Sequence, residues 1–295
     1  LITTKNRKDE LRTAIQSTLA QSIRGQILVL DDGSTDGTSE MVRAEFPSVT
    51  LHREETSLGI IRARNKGVEL AQTEIVVTID DDCTFSAPDI LSQTLHDLSQ
   101  PQVAIVTMPI INVKQSNVVS GRAKDDQSIW ISSHFQGGAN AVKRSIFLRT
   151  GGLRAAFYRQ CEETDMTLRL LDRGYVTRSG RAAPVLHFES PVRDKSKIYF
   201  FSARNNLLLL VINVPFPMLL LHLAATAFNL LMAGWRNGYT ASTLSGCVAF
   251  LAKLPMALSE RRPVQRKTYH LFRRIKKSET LRLETTDGLL PPIHA

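Results

Sequence analysis

Three acidic clusters stand out by residue type and spacing. Asp80, Asp81 and Asp82 end the apolar run EIVVTI, where three carboxylates at one strand terminus repel one another unless a cation sits among them. Alternation along a strand sends Asp80 and Asp82 to one side and Asp81 to the other, which makes a seat for Mg²⁺ or Mn²⁺ beside a ligand diphosphate. Asp31-Asp32-Gly33-Ser34 repeats the arrangement at an earlier strand end, although Asp and Gly also form ordinary solvated turns. Glu162, Glu163 and Asp165 form the third cluster. On a helix Glu162 shares a face with Asp165 and Met166, whereas Glu163 points about 100° away and is free to enter a cleft as a proton acceptor. The competing reading is a set of acids favouring a helix N-terminus. His187 follows an apolar pair and offers a neutral imidazole as a further metal ligand, or else serves structure alone. Cys161 has no base near it in sequence and reads as packing. No HxxxH or HExxH pair occurs, so a zinc hydrolase is poorly supported.

These residues need elements that aim them. Apolar runs alternate with helix-like stretches: strand 1–4, helix 9–21, strand 26–31, helix 35–45, strand 49–52, helix 58–71, strand 74–79, helix 88–99 and strand 103–107. The pattern is α/β, a mainly parallel sheet covered on both faces, in which ligands bind beyond the carboxyl ends of the strands. Ser34 or Thr35 is expected to cap the second helix, with Asp36 near its positive end. Arg62, Arg64 and Asn65 follow a glycine and are expected to face the same crevice. Residues 112–128 read as loop or irregular edge, and QGGANAVKRSIFLRTGGL adds a Gly-rich segment.

The 295 residues, 43% hydrophobic, suffice for a large buried core and exclude a disordered tail or a disulfide miniprotein. Three cysteines, with no CxxC pair, point to a cytosolic setting. The opening LITTKNR reads as the start of a first strand rather than a signal peptide. The net charge of +9 is concentrated: residues 253–277 carry nine Lys/Arg and one acid, Glu260, a net of +8. They follow 31 residues, 205–235, without a formal charge, and a second uncharged run of 16, 237–252. Prolines 215 and 217 interrupt the first run, so two helices lying in a membrane interface are expected in preference to two clean spans, with a buried helical pair as the alternative. A basic block after an apolar stretch suits an anionic membrane face, and no nucleic-acid reader motif accompanies it.

In order and separation, VLDDGSTDGT, RARNKG, TIDDDC, GGANAVKR, EETDMTLRLLDRG and VLHFES resemble the family 2 glycosyltransferases of GT-A fold, over residues 1–205. The resemblance implies inverting transfer from a nucleoside-diphosphate sugar with Mn²⁺ or Mg²⁺. It places Thr3 beside the base, Asp32 on the base, Arg64 at the family's basic position, Asp80 on the ribose, and Gly138 against the donor sugar. It makes Asp82 and His187 metal ligands and brings Arg204 toward the diphosphate. Glu163 stands where the family usually has the aspartate that acts as base, so the pair here is Glu-Glu. Members acting on lipid-linked sugars, or transferring rhamnose and related residues onto polysaccharide precursors, often carry apolar or amphipathic C-terminal helices. Residues 206–277 are accordingly expected to associate with the cytoplasmic side of a membrane, peripherally or monotopically, ahead of a tail, 278–295, and the acceptor is a glycan or lipid-linked glycan. Two other classes compete. A sugar-phosphate nucleotidyltransferase would carry a Gly-rich, Lys-bearing phosphate loop that LITTKNRKDEL lacks. A non-catalytic glycan-binding protein has no use for a metal seat and an isolated base.

Overall fold

The structure, a computed structural model, describes residues 1–188, 194–286 and 288–293. The first half follows the expected alternation: β1 (Ile2–Thr4), α1 (Lys8–Leu19), β2 (Leu28–Asp31), α2 (Thr38–Glu45), β3 (Thr50–Arg53), α3 (Ile60–Leu70) and β4 (Ile75–Asp80). The strands β3, β2, β1 and β4 pair in parallel, in that order. Their carboxyl ends deliver Thr4, Asp31 and Asp80 to one rim. Helix α2 begins later than expected, at Thr38 after Gly37, and neither Ser34 nor Thr35 caps it. Asp36 accepts from the Thr38 and Lys8 amides (3.1 and 3.2 Å), tying together the first turns of α2 and α1.

Beyond β4 come β5 (Cys83–Phe85), α4 (Ile90–Asp97), β6 (Val103–Thr107), β7 (Ile110–Asn112), β8 (Val119–Ser120), β9 (Trp130–Ser132), β10 (Ala139–Lys143), α5 (Arg144–Arg149), α6 (Glu162–Leu171), β11 (Val176–Ser179) and β12 (Val185–His187). The large sheet then continues β4, β10, β6, β11, β9. Strand β10 runs antiparallel to both β4 and β6, a reversal within a sheet in which β6 and β11 again run with β4. The chain enters β10 at the carboxyl end of β4, where Ala139 pairs with Ile79, and runs back without a crossover helix. That entry places Gly137 and Gly138 beside Asp80. A second sheet, β5-β12-β7-β8, stands at the same rim.

The C-terminal part comprises α7 (Lys195–Asn213), α8 (Met218–Arg236), α9 (Thr240–Ser259), α10 (Arg266–Ser278) and β13 (Thr280–Arg282). The expected boundary after 205 falls inside α7, whose residues Leu207–Ile212 are buried with α6 and α10 in the main core. The expected separate tail is also corrected: β13 adds antiparallel to β9 and closes that edge of the sheet. The uncharged run yields the end of α7 and then α8, because Pro215 and Pro217 cannot continue a helix. Helices α8 and α9 are each long and apolar enough to cross a membrane, and both are largely unburied.

Candidate active site

Arg64 and Asp80 form the centre. Within α3, Arg62 is exposed and Asn65 turns the other way, exchanging hydrogen bonds with the Leu153 backbone (2.7 and 2.9 Å). Arg64 alone of the three faces the crevice, with Nη2 2.6 Å from Asp80 Oδ1. Burial opposes its charge, but Asp80 and then Glu163 outweigh that and raise its affinity for its proton. A β-carbon on Gly138 would collide with the Asp80 carboxylate, and one on Gly137 with Glu163 Oε1 and the Arg64 guanidinium. The two glycines therefore let four elements, α3, β4, β10 and α6, close on one another. A cavity of about 970 Å³ opens instead among Leu1, Gly25 to Leu28 and Ala71 to Val77, at the opposite ends of these strands.

Glu163 is half-buried against Arg64, but it does not enter the crevice alone. Burial first, and the adjacent Glu162 second, push its proton affinity up, while Arg64 opposes them. Glu162 is 3% exposed and leaves Oε2 without a hydrogen-bond partner. Asp165 is structural: it accepts from Arg169 Nε (2.8 Å) and Asn213 Nδ2 (2.8 Å) and pairs with Arg154 (3.4 Å). Burial drives the Cys161 thiol up to about 12, in keeping with a packing role.

The triple-aspartate segment departs from simple alternation because β4 ends at Asp80. Arg7 Nη1 bridges Asp81 Oδ1 (3.2 Å) and Asp82 Oδ2 (2.6 Å), and Thr4 Oγ1 donates to Asp81 at 2.8 Å. Burial raises the Asp81 pKa to about 7 against the pull of Arg7. Asp82 is also pushed up by burial, but His187 and then Arg7 hold it down at about 2. His187 Nε2 lies 3.2 Å from Asp82 Oδ1, and its Nδ1 lies 2.7 Å from Asn112 Oδ1. Register explains this: His187 of β12 sits opposite Asn112 of β7 and Cys83 of β5. An Nδ1–H donated to the Asn112 oxygen would leave Nε2 as the nitrogen able to ligate a cation, in place of its ion pair with Asp82. One ligand atom each from Asp82, Cys83 and His187 fall within 4.8 Å of one another, so the residues fit a divalent ion. Cys83 is fully buried and its pKa is raised, which makes it the least suited of the three.

Of the expected donor-binding residues, Asp32 and Arg204 make hydrogen bonds within the protein and Thr3 is enclosed in β1. Thr3 lies inside β1, 4% exposed, with its hydroxyl enclosed and unpartnered; Thr4 and Arg7 reach the aspartates instead. Asp32 accepts from Ser57 Oγ, Leu58 N and Gly59 N (2.6, 2.6 and 3.1 Å), pinning the loop ahead of α3. Arg204 donates to Phe157 O at 2.7 Å and packs on the Phe201 ring at 4.8 Å, bracing the segment before α6 rather than reaching the crevice. Arg7 and Asn112 were missed from sequence. Arg7 follows β1 at the rim, a recognisable position, whereas Asn112 is 75 residues from His187 and is found only by strand pairing. Of the VLHFES motif, Glu189 and Ser190 lie outside the described residues.

The Glycosyl transferase family 2 model matches residues 1–163. An uncharacterized glycosyltransferase of Haemophilus influenzae is 26% identical over 181 residues, 58% of this chain and 60% of that protein, so the chain spans less than two thirds of it. The succinoglycan biosynthesis protein ExoU of Rhizobium meliloti is 31% identical over 98 residues, 32% of this chain and 28% of that protein. Among solved structures, the mannosyltransferase PcManGT from Pyrobaculum calidifontis, in complex with GDP-Man and Mn²⁺, superposes with TM-score 0.57 at 19% identity, covering 94% of this chain and 78% of that one. S. aureus TarS 1-349 in complex with UDP-GlcNAc gives TM-score 0.60 at 14% identity, covering 94% of this chain and 86% of that one. The family match takes in more than half of the 295 residues, from β1 to the start of α6, and the chain belongs to glycosyl transferase family 2, with the GT-A fold.

Proposed function

We propose that this chain transfers a sugar, with inversion, from a nucleoside-diphosphate donor to a hydroxyl of a glycan or lipid-linked glycan, with Mn²⁺ or Mg²⁺. The observation that carries the reading is the closure of Asp80, Arg64 and Glu163 around Gly137-Gly138 beside the Asp82–His187 pair. Asp82 and His187 would hold the cation, which supplies charge neutralisation for the departing diphosphate. Arg7 keeps Asp82 ionised, and Asn112 holds the His187 ring with Nε2 inward. Arg64 brings a fixed positive charge to the donor side of the crevice. Glu163 accepts the proton of the attacking hydroxyl, and its raised proton affinity brings it closer to the working pH of a general base. Single displacement by that hydroxyl inverts the anomeric centre.

Helices α8 and α9, with the cationic face of α10, are read as the membrane-facing part, on the cytoplasmic side, because α8 and α9 leave apolar surface exposed and α10 carries cations next to it. The donors bound in the two structural neighbours differ in base, so the test is a thermal-shift panel of UDP, GDP, TDP and CMP compounds with and without Mn²⁺. A manganese-dependent rise with one nucleotide, lost in Asp82→Asn with the unliganded melting point retained, is the expected result. A shift in Asp82→Asn equal to that of the parent chain overturns the metal assignment. The product's anomeric configuration, read by NMR, tests inversion.

A further inference from the structure

Helices α8 and α9 lie along α7 instead of projecting from it. Tyr239, in the turn between them, stacks on Tyr199 near the start of α7 with centroids 4.6 Å apart. Gly246 of α9 sits against Phe200 and Ala203, too close for a side chain. Past the end of α9, the Arg262 and Val264 amides donate to Ile212 O and Asn213 O near the end of α7 (3.0 and 2.9 Å). Helix α9 is thus held along α7 from the turn before it to the segment after it. On the outer side, α8 exposes Leu221, Phe228 and Trp235, seven residues apart, at 71, 64 and 67%. Helix α9 exposes Leu244, Val248, Leu251 and Leu258, again one face. A spanning hairpin would have to detach from α7 and carry Arg236 across the hydrocarbon; a pair lying in the interface keeps both the packing and the charge in place.

Next to α8, an open cavity of about 580 Å³ is lined by Thr164 of α6, Asn206 of α7, His222 and Asn229 of α8, and residues of α10 between Tyr269 and Lys277. Arg273, Arg274, Lys276 and Lys277 line it, and no carboxylate does among the described residues. Its floor is ordered by the His222 Nδ1 to Tyr269 hydroxyl contact, 2.7 Å. Burial, and then the charges of Arg273 and His270, hold His222 below its ordinary value, as expected in a positive field. Polar groups converging under a cationic rim, within reach of exposed apolar stripes, match a headgroup that carries phosphate above acyl chains.

We propose that this cavity binds the phosphate headgroup of an anionic phospholipid while the outer faces of α8 and α9 lie in the same leaflet, docking the protein parallel to the membrane. The proposal rests on the membrane-side reading above and adds to it a specific site and an orientation. The test is flotation of the full chain with vesicles of phosphatidylglycerol in phosphatidylcholine, and with phosphatidylcholine alone. Two charge-matched pairs separate a site from diffuse attraction: Arg273→Glu with Lys277→Glu inside the cavity, and Arg262→Glu with Arg266→Glu outside it. The expected result is binding to the anionic vesicles, weakened at least tenfold by the cavity pair, several-fold less by the outer pair, and also lost in Leu221→Ser with Leu251→Ser.

Equal losses from both charge pairs overturn the site, and so does undiminished binding of all variants. A stabilising shift from inorganic phosphate that the cavity pair abolishes, without vesicle binding, identifies a free-phosphate site and overturns the lipid. A dimer in sedimentation that the Leu221→Ser with Leu251→Ser variant dissolves shows that a second copy covers the face. The nucleotide shift with Mn²⁺, measured on every variant, is expected to stay at the parent value; this readout reports failure of the transferase reading separately from failure of the docking site.

Discussion

At the scale of single residues, the two adjacent glutamates have different surroundings although they follow one another in α6. Glu163 faces Arg64 and the crevice, while Glu162 is enclosed and raises its neighbour's proton affinity. As the proposed base Glu163 would work when ionised, so transfer is expected to climb with pH through a range above that of an ordinary carboxylate. Replacing Glu163 with Gln removes the acceptor and is expected to cut kcat by a hundredfold or more while the nucleotide shift persists. Glu162→Gln removes a like charge, which lowers the Glu163 pKa; the acidic limb of the pH–rate profile then moves to lower pH. A limb that stays in place in Glu162→Gln would show that the two carboxyls do not communicate. These carboxylates were legible from composition and order alone. Which of them faces the crevice was only half legible: the 100° step on a helix separates Glu163 from Glu162, but the presence of Glu162 as an electrostatic neighbour follows from packing.

At the scale of elements, the residues that aim the site are carried by segments remote in sequence. Asn205 of α7 places its amide nitrogen 2.9, 2.6 and 2.9 Å from the carbonyl oxygens of Phe157, Arg159 and Gln160. Those residues lead into α6 through Tyr158, Gln160 and Cys161, all with left-handed backbones (φ 65, 66 and 70°) that non-glycine residues adopt at a cost. Asn205→Ala is expected to release that segment and lower kcat by about tenfold or more through misplacement of Glu163, with the nucleotide shift unchanged. Parallel falls in both would point to general damage instead. A second brace is Asp97 at the end of α4, buried between Arg178 (2.9 Å) and Arg181 (2.7 Å). Asp97→Ala strands a buried guanidinium and is expected to cost about 3–5 kcal/mol in urea unfolding. Neither brace could be read from local pattern, since Asn205 sits in an unremarkable helix and Asp97 meets its partners some eighty residues away.

On the scale of the whole molecule, the family-matched part shares a core with α7 and α10. Six consecutive apolar residues of α7, Leu207 to Ile212, are buried. At about 1.5 kcal/mol each they contribute roughly 9 kcal/mol, comparable to the whole net stability of a domain. A chain ending at residue 205 is therefore expected to aggregate or unfold at room temperature, as circular dichroism and solubility would show; a soluble, cooperatively melting 1–205 fragment would mean that α7 is dispensable. The sequence alone determined the α/β alternation of the first 107 residues, the acidic strand ends, and a family resemblance strong enough to name a reaction, because periodicity and strand-end motifs are local properties that a single segment carries. Tertiary structure decided that β10 reverses within the sheet, that Arg7 and Asn112 hold the Asp82–His187 pair, that Asp32 and Arg204 make hydrogen bonds within the chain, and that α7, α10 and β13 complete the core and the sheet. Those outcomes depend on which distant surfaces bury one another, and no window of sequence records that.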